Sequence, residues 1–193
     1  DGVCEEAYCP DHGNGIIGGG ASFNGATCLE VGPDASLDLS QGRFSIAAWV
    51  YASPGGEDVQ TILGAPIEGD KAYPTLQRVG RQLRFGFGAG DAWVGPYESG
   101  DVLTENAWQH IVLTFDGDSG ALKLYVDGAL IDTDTTTFAG NVPSTSAQTF
   151  GVGCSTDDTG DQSAHFFGRL DEVRVDRETL DAGDVQDLYD SAT

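Results

Sequence analysis

Trp108-Gln-His-Ile-Val-Leu-Thr-Phe-Asp-Gly-Asp-Ser-Gly-Ala-Leu-Lys-Leu-Tyr-Val-Asp-Gly128 holds two alternating runs joined by a turn. Trp108, His110, Val112 and Thr114 alternate with Gln109, Ile111, Leu113 and Phe115, the period-two pattern of a strand with two distinct faces. After a turn over Asp116–Gly120, Leu122, Leu124 and Val126 alternate against Lys123, Tyr125 and Asp127. Asp127-Gly128 then supplies the turn dipeptide that hairpins favour, because both central positions take positive φ. The segment reads as two paired antiparallel strands with a further hairpin beginning at its end.

Outward from there the same pattern recurs. Arg43–Tyr51 alternates Phe44, Ile46, Ala48 and Val50 against Trp49 and Tyr51, so both of its faces carry bulk to be covered. Ala21–Asn24, Thr27–Val31, Val59–Ala65, Tyr73–Val79, Gln82–Gly86, Ala92–Val94, Leu130–Thr133, Gln148–Gly153 and His165–Val175 are further strand runs, separated by Gly, Pro, Asn and Asp clusters. About a dozen strands at this spacing predict an all-β, two-sheet antiparallel jelly-roll sandwich. One helix stands apart near the C-terminus. Asp181 is its N-cap, Asp184 follows three residues later, and Val185, Leu188 and Tyr189 form its apolar stripe.

At 193 residues the chain fits one domain with a substantial core. Residues 1–19 are turn-rich and read as a disulfide-stapled loop segment preceding a jelly-roll domain over 20–193. The chain begins Asp-Gly-Val-Cys and has no Met, so it reads as a piece excised from a longer protein or as a processed product, with neighbouring domains of the same polypeptide as partners. Four cysteines suit an oxidising compartment and a secreted or cell-surface location. Three pairings are possible; the one expected is Cys4–Cys9 closing a small loop, with Cys28–Cys154 tying the start of the sandwich to a late strand. A loop as long as the second would stabilise by roughly 4–5 kcal/mol in the chain-entropy account.

Thirty-one acidic residues against nine basic ones leave a net charge of −22. Such a surface repels nucleic acid and anionic membranes, and no apolar run is long enough for membrane insertion. Three causes of the acidity stay open: solubility in a salty or calcium-rich exterior, specific Ca²⁺ sites, and adaptation to high salt throughout the cell.

Phe44–Tyr51, Trp108–Gly128, Phe150-Gly-Val-Gly153 and Phe167-Gly-Arg-Leu-Asp-Glu-Val-Arg-Val175, with Phe23-Asn-Gly25 and the helix over Leu180–Tyr189, together resemble the laminin-G-like / concanavalin-A-like jelly-roll superfamily, in particular its bacterial and pentraxin-like branches. The resemblance covers residues from about 20 to 190. It implies a calcium-dependent, non-catalytic recognition or adhesion module whose ligand is a carbohydrate or an extracellular surface protein. It also implies Ca²⁺ ligands in the loop after Gly153, where Asp157 matches an acidic ligand and Ser155 departs from one. Asp158 and Asp161 are the compensating candidates, with Asp58 or Glu57 closing the site from an early loop. A second Ca²⁺ position, common in bacterial relatives, falls on Asn24 and Asp171, joined by carbonyls near Asp11–Gly15. A salt bridge from Asp171 to Arg169 or Arg174 is the competing reading, since an unpaired carboxylate in an apolar strand is costly.

For ligand binding, Trp93 and Tyr97 are the leading aromatics, with Tyr73 and Arg84 behind them. The alternative reading of each aromatic is core. Glycoside hydrolases of the same superfamily carry a Glu-x-Asp-x-x-Glu strand, which this chain lacks. Leu170-Asp171-Glu172-Val173 sets its two acids on opposite faces. His12, His110 and His165 lack a nucleophile motif, and Gly86-Phe-Gly-Ala-Gly90 is a turn between strands, so no enzyme is expected. The alternatives are an architectural spacer that binds only calcium and a divergent polysaccharide-degrading enzyme.

Overall fold

The structure is a computed structural model that describes residues 2–4, 8–66, 73–144, 148–156 and 159–193. In chain order its strands are β1 (Asp11–Asn14), β2 (Gly19–Asn24), β3 (Leu29–Val31), β4 (Arg43–Ala52), β5 (Val59–Gly64), β6 (Thr75–Val79), β7 (Gln82–Ala89), β8 (Ala92–Asp101), β9 (Trp108–Asp116), β10 (Ala121–Val126), β11 (Ala129–Asp134), β12 (Phe150–Val152), β13 (Ser155–Thr156), β14 (Gln162–Ser163) and β15 (Phe167–Asp176). The helix α1 spans Ala182–Asp190.

Two antiparallel sheets stack face to face. One runs β1-β2-β15-β4-β9-β10-β11 and the other β3-β12-β5-β6-β7-β8, with β13-β14 a small separate pair. The hairpin that opened the sequence reading is β9-β10, and β9 pairs along its length with β4. The two strands share one face: Phe44, Ile46, Ala48 and Val50 from β4 meet Ile111, Leu113 and Phe115 from β9 in the core. From the facing sheet Ile62, Leu76, Leu83, Phe85 and Phe87 close that core. Burying a Phe or Leu from water contributes about 1.5–3 kcal/mol, so this layer holds the two sheets together.

The opposite face of β4 and β9 is also covered, as the bulk of Trp49 required. Ala47, Val112 and Tyr125 form a second cluster with Val185 of α1 and Leu180. The helix starts where the sequence placed it: Asp181 accepts from the Gly183 and Asp184 N–H groups, and the Asp184 carboxylate returns to the Asp181 N–H. Its approach is pinned by Ser45, whose hydroxyl donates to the Glu178 carbonyl and accepts from the Leu180 N–H.

Both expected disulfides, Cys4–Cys9 and Cys28–Cys154, are formed. The N-terminal segment departs from a plain loop. Asp11–Asn14 pairs with Gly19–Ser22 and becomes the edge of the seven-stranded sheet, because the Gly15–Gly18 turn lets the chain fold back on itself. Among the described residues no helix is long and apolar enough to cross a membrane.

Candidate functional site

On the face of the six-stranded sheet away from the core a polar row crosses the strands, buried at its Ser155, Thr61 and Gln77 end and open at Arg84 and Glu98. Since Ile62, Leu76, Leu83 and Phe85 point into the core, alternation sends Thr61, Gln77 and Arg84 the other way. The Ser155 and Thr61 hydroxyls share a 2.8 Å hydrogen bond, and Gln77 Nε2 donates to Thr61 Oγ1 at 3.2 Å. Gln77 stands in register with Arg84, and Arg84 with Glu98. The row therefore runs Ser155–Thr61–Gln77–Arg84–Glu98.

Trp93 lies beside Arg84. A Cβ built on Gly86 would fall 2.2 Å from Trp93 Cζ2, so the indole rests directly on that glycine, one same-face position along β7 from Arg84. Only a residue without a side chain admits a ring there. Trp93 and Arg84 are half-buried, and the Trp93 Nε1 and Arg84 Nε donors are shielded and have no hydrogen-bond partner among the described residues. The structure thus brings together two of the four ligand-binding candidates.

It separates the other two. Tyr97 is buried, donates to Asp132 Oδ2 at 2.9 Å and packs with the core. Burial pushes its phenol pKa up, and the accepting Asp132 carboxylate adds to the shift. Trp93 and Tyr97 are four residues apart and would share a face in a regular strand. The pairing of Phe87 with Val94 but of Phe85 with Tyr97 shows one extra residue in β8 at Gly95-Pro96. That bulge reverses the alternation and turns Tyr97 inward. Tyr73 is fully buried, stacked on Phe150 with centroids 4.3 Å apart, and is core instead of ligand surface.

The calcium candidates scatter. Asp157 and Asp158 lie outside the described residues. Ser155, at the position where the resemblance puts an acidic ligand, is buried and committed to Thr61. Asp161 lines a separate 910 Å³ cleft with Tyr8, Glu30, Gln162 and His165. Glu57 turns to His165, 3.5 Å from its Nδ1, and Asp58 is exposed. At the second expected position, Asn24 pairs with Phe167, four residues along β15 from Asp171 and hence roughly 13 Å away. The Asn24 Oδ1 is taken by the Ala26 N–H.

Asp171 itself is satisfied by backbone donors, not by Arg169 or Arg174. Its Oδ2 accepts from Ile16 and Ile17 at 2.8 and 3.0 Å, and its Oδ1 from Glu172. Gly15 packs against the carboxylate so closely that a Cβ there would lie 2.3 Å from Oδ2. The carboxylate fastens the β1-β2 turn over the sheet, and Arg174 pairs with Asp176 instead. Among the described residues there is no group of three or more His, Cys, Asp or Glu side chains that could hold a metal ion.

Gln77 and Thr61 escaped the sequence reading, and Gly86, read there as the start of a turn, lies within β7. The signal was present in the alternation of Thr75–Val79 and Gln82–Gly86, whose polar positions are the outward ones.

Comparison with known proteins agrees with the architecture. The profile described as the Concanavalin A-like lectin/glucanases superfamily matches residues 23–186. No curated protein sequence matches the chain. Among solved structures, domain 4 of AbnA, a GH43 extracellular arabinanase from Geobacillus stearothermophilus in complex with arabinotriose, is similar with TM-score 0.66 and 21% identity, over 93% of this chain and 81% of that one. The binding domain of Paraclostridial Mosquitocidal Protein 1 has TM-score 0.68 and 15% identity, over 94% of this chain and 45% of that one. A native heptameric SAP-like pentraxin from Limulus polyphemus has TM-score 0.62 and 14% identity, over 87% and 80%. At these identities the likeness is one of fold.

Proposed function

We propose, from the premise that the chain belongs to the Concanavalin A-like lectin/glucanases superfamily, that it is a non-catalytic glycan-binding module of a larger secreted or surface-displayed protein. The observation that carries this reading is the Trp93 indole laid on Gly86 at the edge of the polar row. A sugar stacks its C–H face on such a ring while its hydroxyls meet neighbouring amide, guanidinium and carboxylate groups. Arg84, half-buried, and Glu98, exposed, are the groups in reach of that role, while the buried Gln77 stands behind them.

The same row argues against hydrolysis. Glycoside cleavage needs two carboxylates flanking the scissile bond, and among the described residues the row carries one, Glu98. The arabinanase domain that shares the fold holds arabinotriose, which makes a neutral arabino-oligosaccharide the first ligand to try.

Calcium enters the proposal at one place, the loop from Asp157 to Asp161, which continues from Ser155 at the end of the row. Carboxylates are the hard oxygen donors that Ca²⁺ takes. Calcium at a hundredfold its Kd would then raise stability by about 2.7 kcal/mol, and melting curves with calcium and with EDTA measure it. Superimposable curves would remove calcium from the reading.

Calorimetric titration against a panel of neutral and acidic oligosaccharides tests the module itself. Binding should fall at least about tenfold in Trp93→Ala and persist in Trp93→Tyr, which keeps a stacking face. A panel silent with calcium present would favour a purely architectural domain. Product release from a polysaccharide, abolished in Glu98→Gln, would make it an enzyme.

A further inference from the structure

In a chain with thirty-one acidic residues and nine basic ones, an arginine should readily find a carboxylate or a carbonyl. Six of the seven do have partners. Arg43 pairs with Asp116 and Asp118, Arg78 with Glu105, and Arg174 with Asp176. Arg81 donates to the Leu103 carbonyl and Arg177 to that of Ala35, while Arg169 stacks on Tyr51 with its guanidinium carbon 3.9 Å from the ring centroid.

Arg84 is the exception. Among the described residues it has no ion pair and no hydrogen bond, and its Nε is shielded from solvent. Glu98 stands in register opposite, yet the two make no ion pair. A second donor beside it, Trp93 Nε1, is shielded and unpartnered in the same way. Buried polar groups are nearly always paired, so two orphaned donors on one face need a physical reason. Guanidinium and indole nitrogens only donate, so an acceptor satisfies both, and the charged guanidinium is matched best by a carboxylate.

We propose that Arg84 and Trp93 form a receptor for a carboxylate carried by the glycan, so that the ligand is an acidic sugar of the uronic or sialic type. This rests on the glycan-binding reading above and specifies its ligand class. A carboxylate matches the planar guanidinium fork, and the guanidinium is weakly hydrated, so it gives up little water to bind there. The surface charge of −22 limits how much negative charge the ligand can carry. Repulsion from distant acidic residues is screened within about 8 Å at physiological salt, so one carboxylate at contact distance is tolerated. A polyanion sums the repulsion along its length and is excluded.

The test uses matched glycans, each acidic oligosaccharide alongside its methyl ester, together with arabinotriose as a neutral probe. The tightest ligands should be carboxylated. Esterification and Arg84→Gln should each lower affinity about tenfold to a hundredfold, and the two losses should not add, since both remove one contact. The Arg84 Nε–H and Trp93 Nε1–H resonances of ¹⁵N-labelled protein should shift with the acid and not with its ester. Arg84→Gln should melt no lower than the parent, because the donor it removes has no partner in the fold. Trp93-dependent binding of neutral glycans that Arg84→Gln leaves unchanged would overturn the carboxylate and keep the glycan reading. A silent panel would overturn both, and a substantial loss of melting temperature in Arg84→Gln would make Arg84 structural.

Discussion

The two sheets present outer faces made from the same materials, a tryptophan, polar side chains and an arginine, and they use them oppositely. On the seven-stranded sheet Trp49 pairs across strands with His110 and lies under Tyr189 of α1, with ring centroids 5.6 Å apart. Nearby, Arg169 stacks on Tyr51 and donates to the Asn14 carbonyl. That face is closed by the helix at one end and by the turn held on Asp171 at the other. On the six-stranded sheet Trp93 stays half-exposed on Gly86, and Arg84 finds no partner among the described residues. Composition therefore does not distinguish a closed face from an open one. What distinguishes them is whether the donors are satisfied within the fold.

The comparison breaks first if the closed face is not structural. Trp49→Ala removes a side chain that is 4% exposed between two aromatic neighbours, and should cost about 3–5 kcal/mol in urea unfolding. Trp93→Ala, on the open face, should cost far less stability while losing ligand. Equal losses from the two would erase the distinction.

Next in size is Asp171→Ala, which strips an acceptor from three backbone N–H groups. Because Ile16 and Ile17 are near the surface and can be rehydrated, a loss of about 2 kcal/mol is expected. Saturating calcium should leave the parent–variant difference unchanged. A difference that grows with calcium would restore a metal at this carboxylate.

A smaller effect sharpens the closed face. His110 is buried, its Nδ1 has no partner among the described residues, and burial lowers its pKa below 6.5, with Asp127 opposing in part. Below pH 6.5 the unfolded chain binds the proton that the folded state resists. The stabilisation from neutral His110 is therefore complete above that pH and lost as pH falls, by at most about 1.4 kcal/mol per pH unit. His110→Gln should flatten this limb relative to the parent, measured as the difference in unfolding free energy between the two. Parallel pH profiles would show that His110 does not titrate against folding.

The smallest expected effect is also the most diagnostic. Arg84→Met replaces an orphaned donor by an apolar side chain of similar length and should leave stability unchanged or slightly raised, by up to about 1 kcal/mol. Any loss would mean that the fold uses Arg84.

Much of the fold was legible because it was written locally. The alternation of Arg43–Tyr51 and of Trp108–Val126 is enough to pair β4, β9 and β10, and Asp181 with Asp184 places the helix start to the residue. The even cysteine count allowed the observed pairing among three. The site was legible only in part. Trp93 and Arg84 could be named from residue type. Tyr97 was misplaced beside them because one extra residue at Gly95-Pro96 reverses which way the strand faces. Tyr73 was misplaced because its stacking partner, Phe150, is seventy-seven residues away.

The sandwich, its capped helix and its acidic character are all set within short windows of sequence, since they follow from periodicity, turn residues and charge. The packed fold settles which of two alternating faces is inside, that Asp171 is met by main-chain amides instead of arginine, and that Arg84 alone among the seven arginines has no partner among the described residues. The reason is that satisfaction is a property of neighbours. A donor's partners arrive from strands far away in the chain, and no local pattern records whether they come.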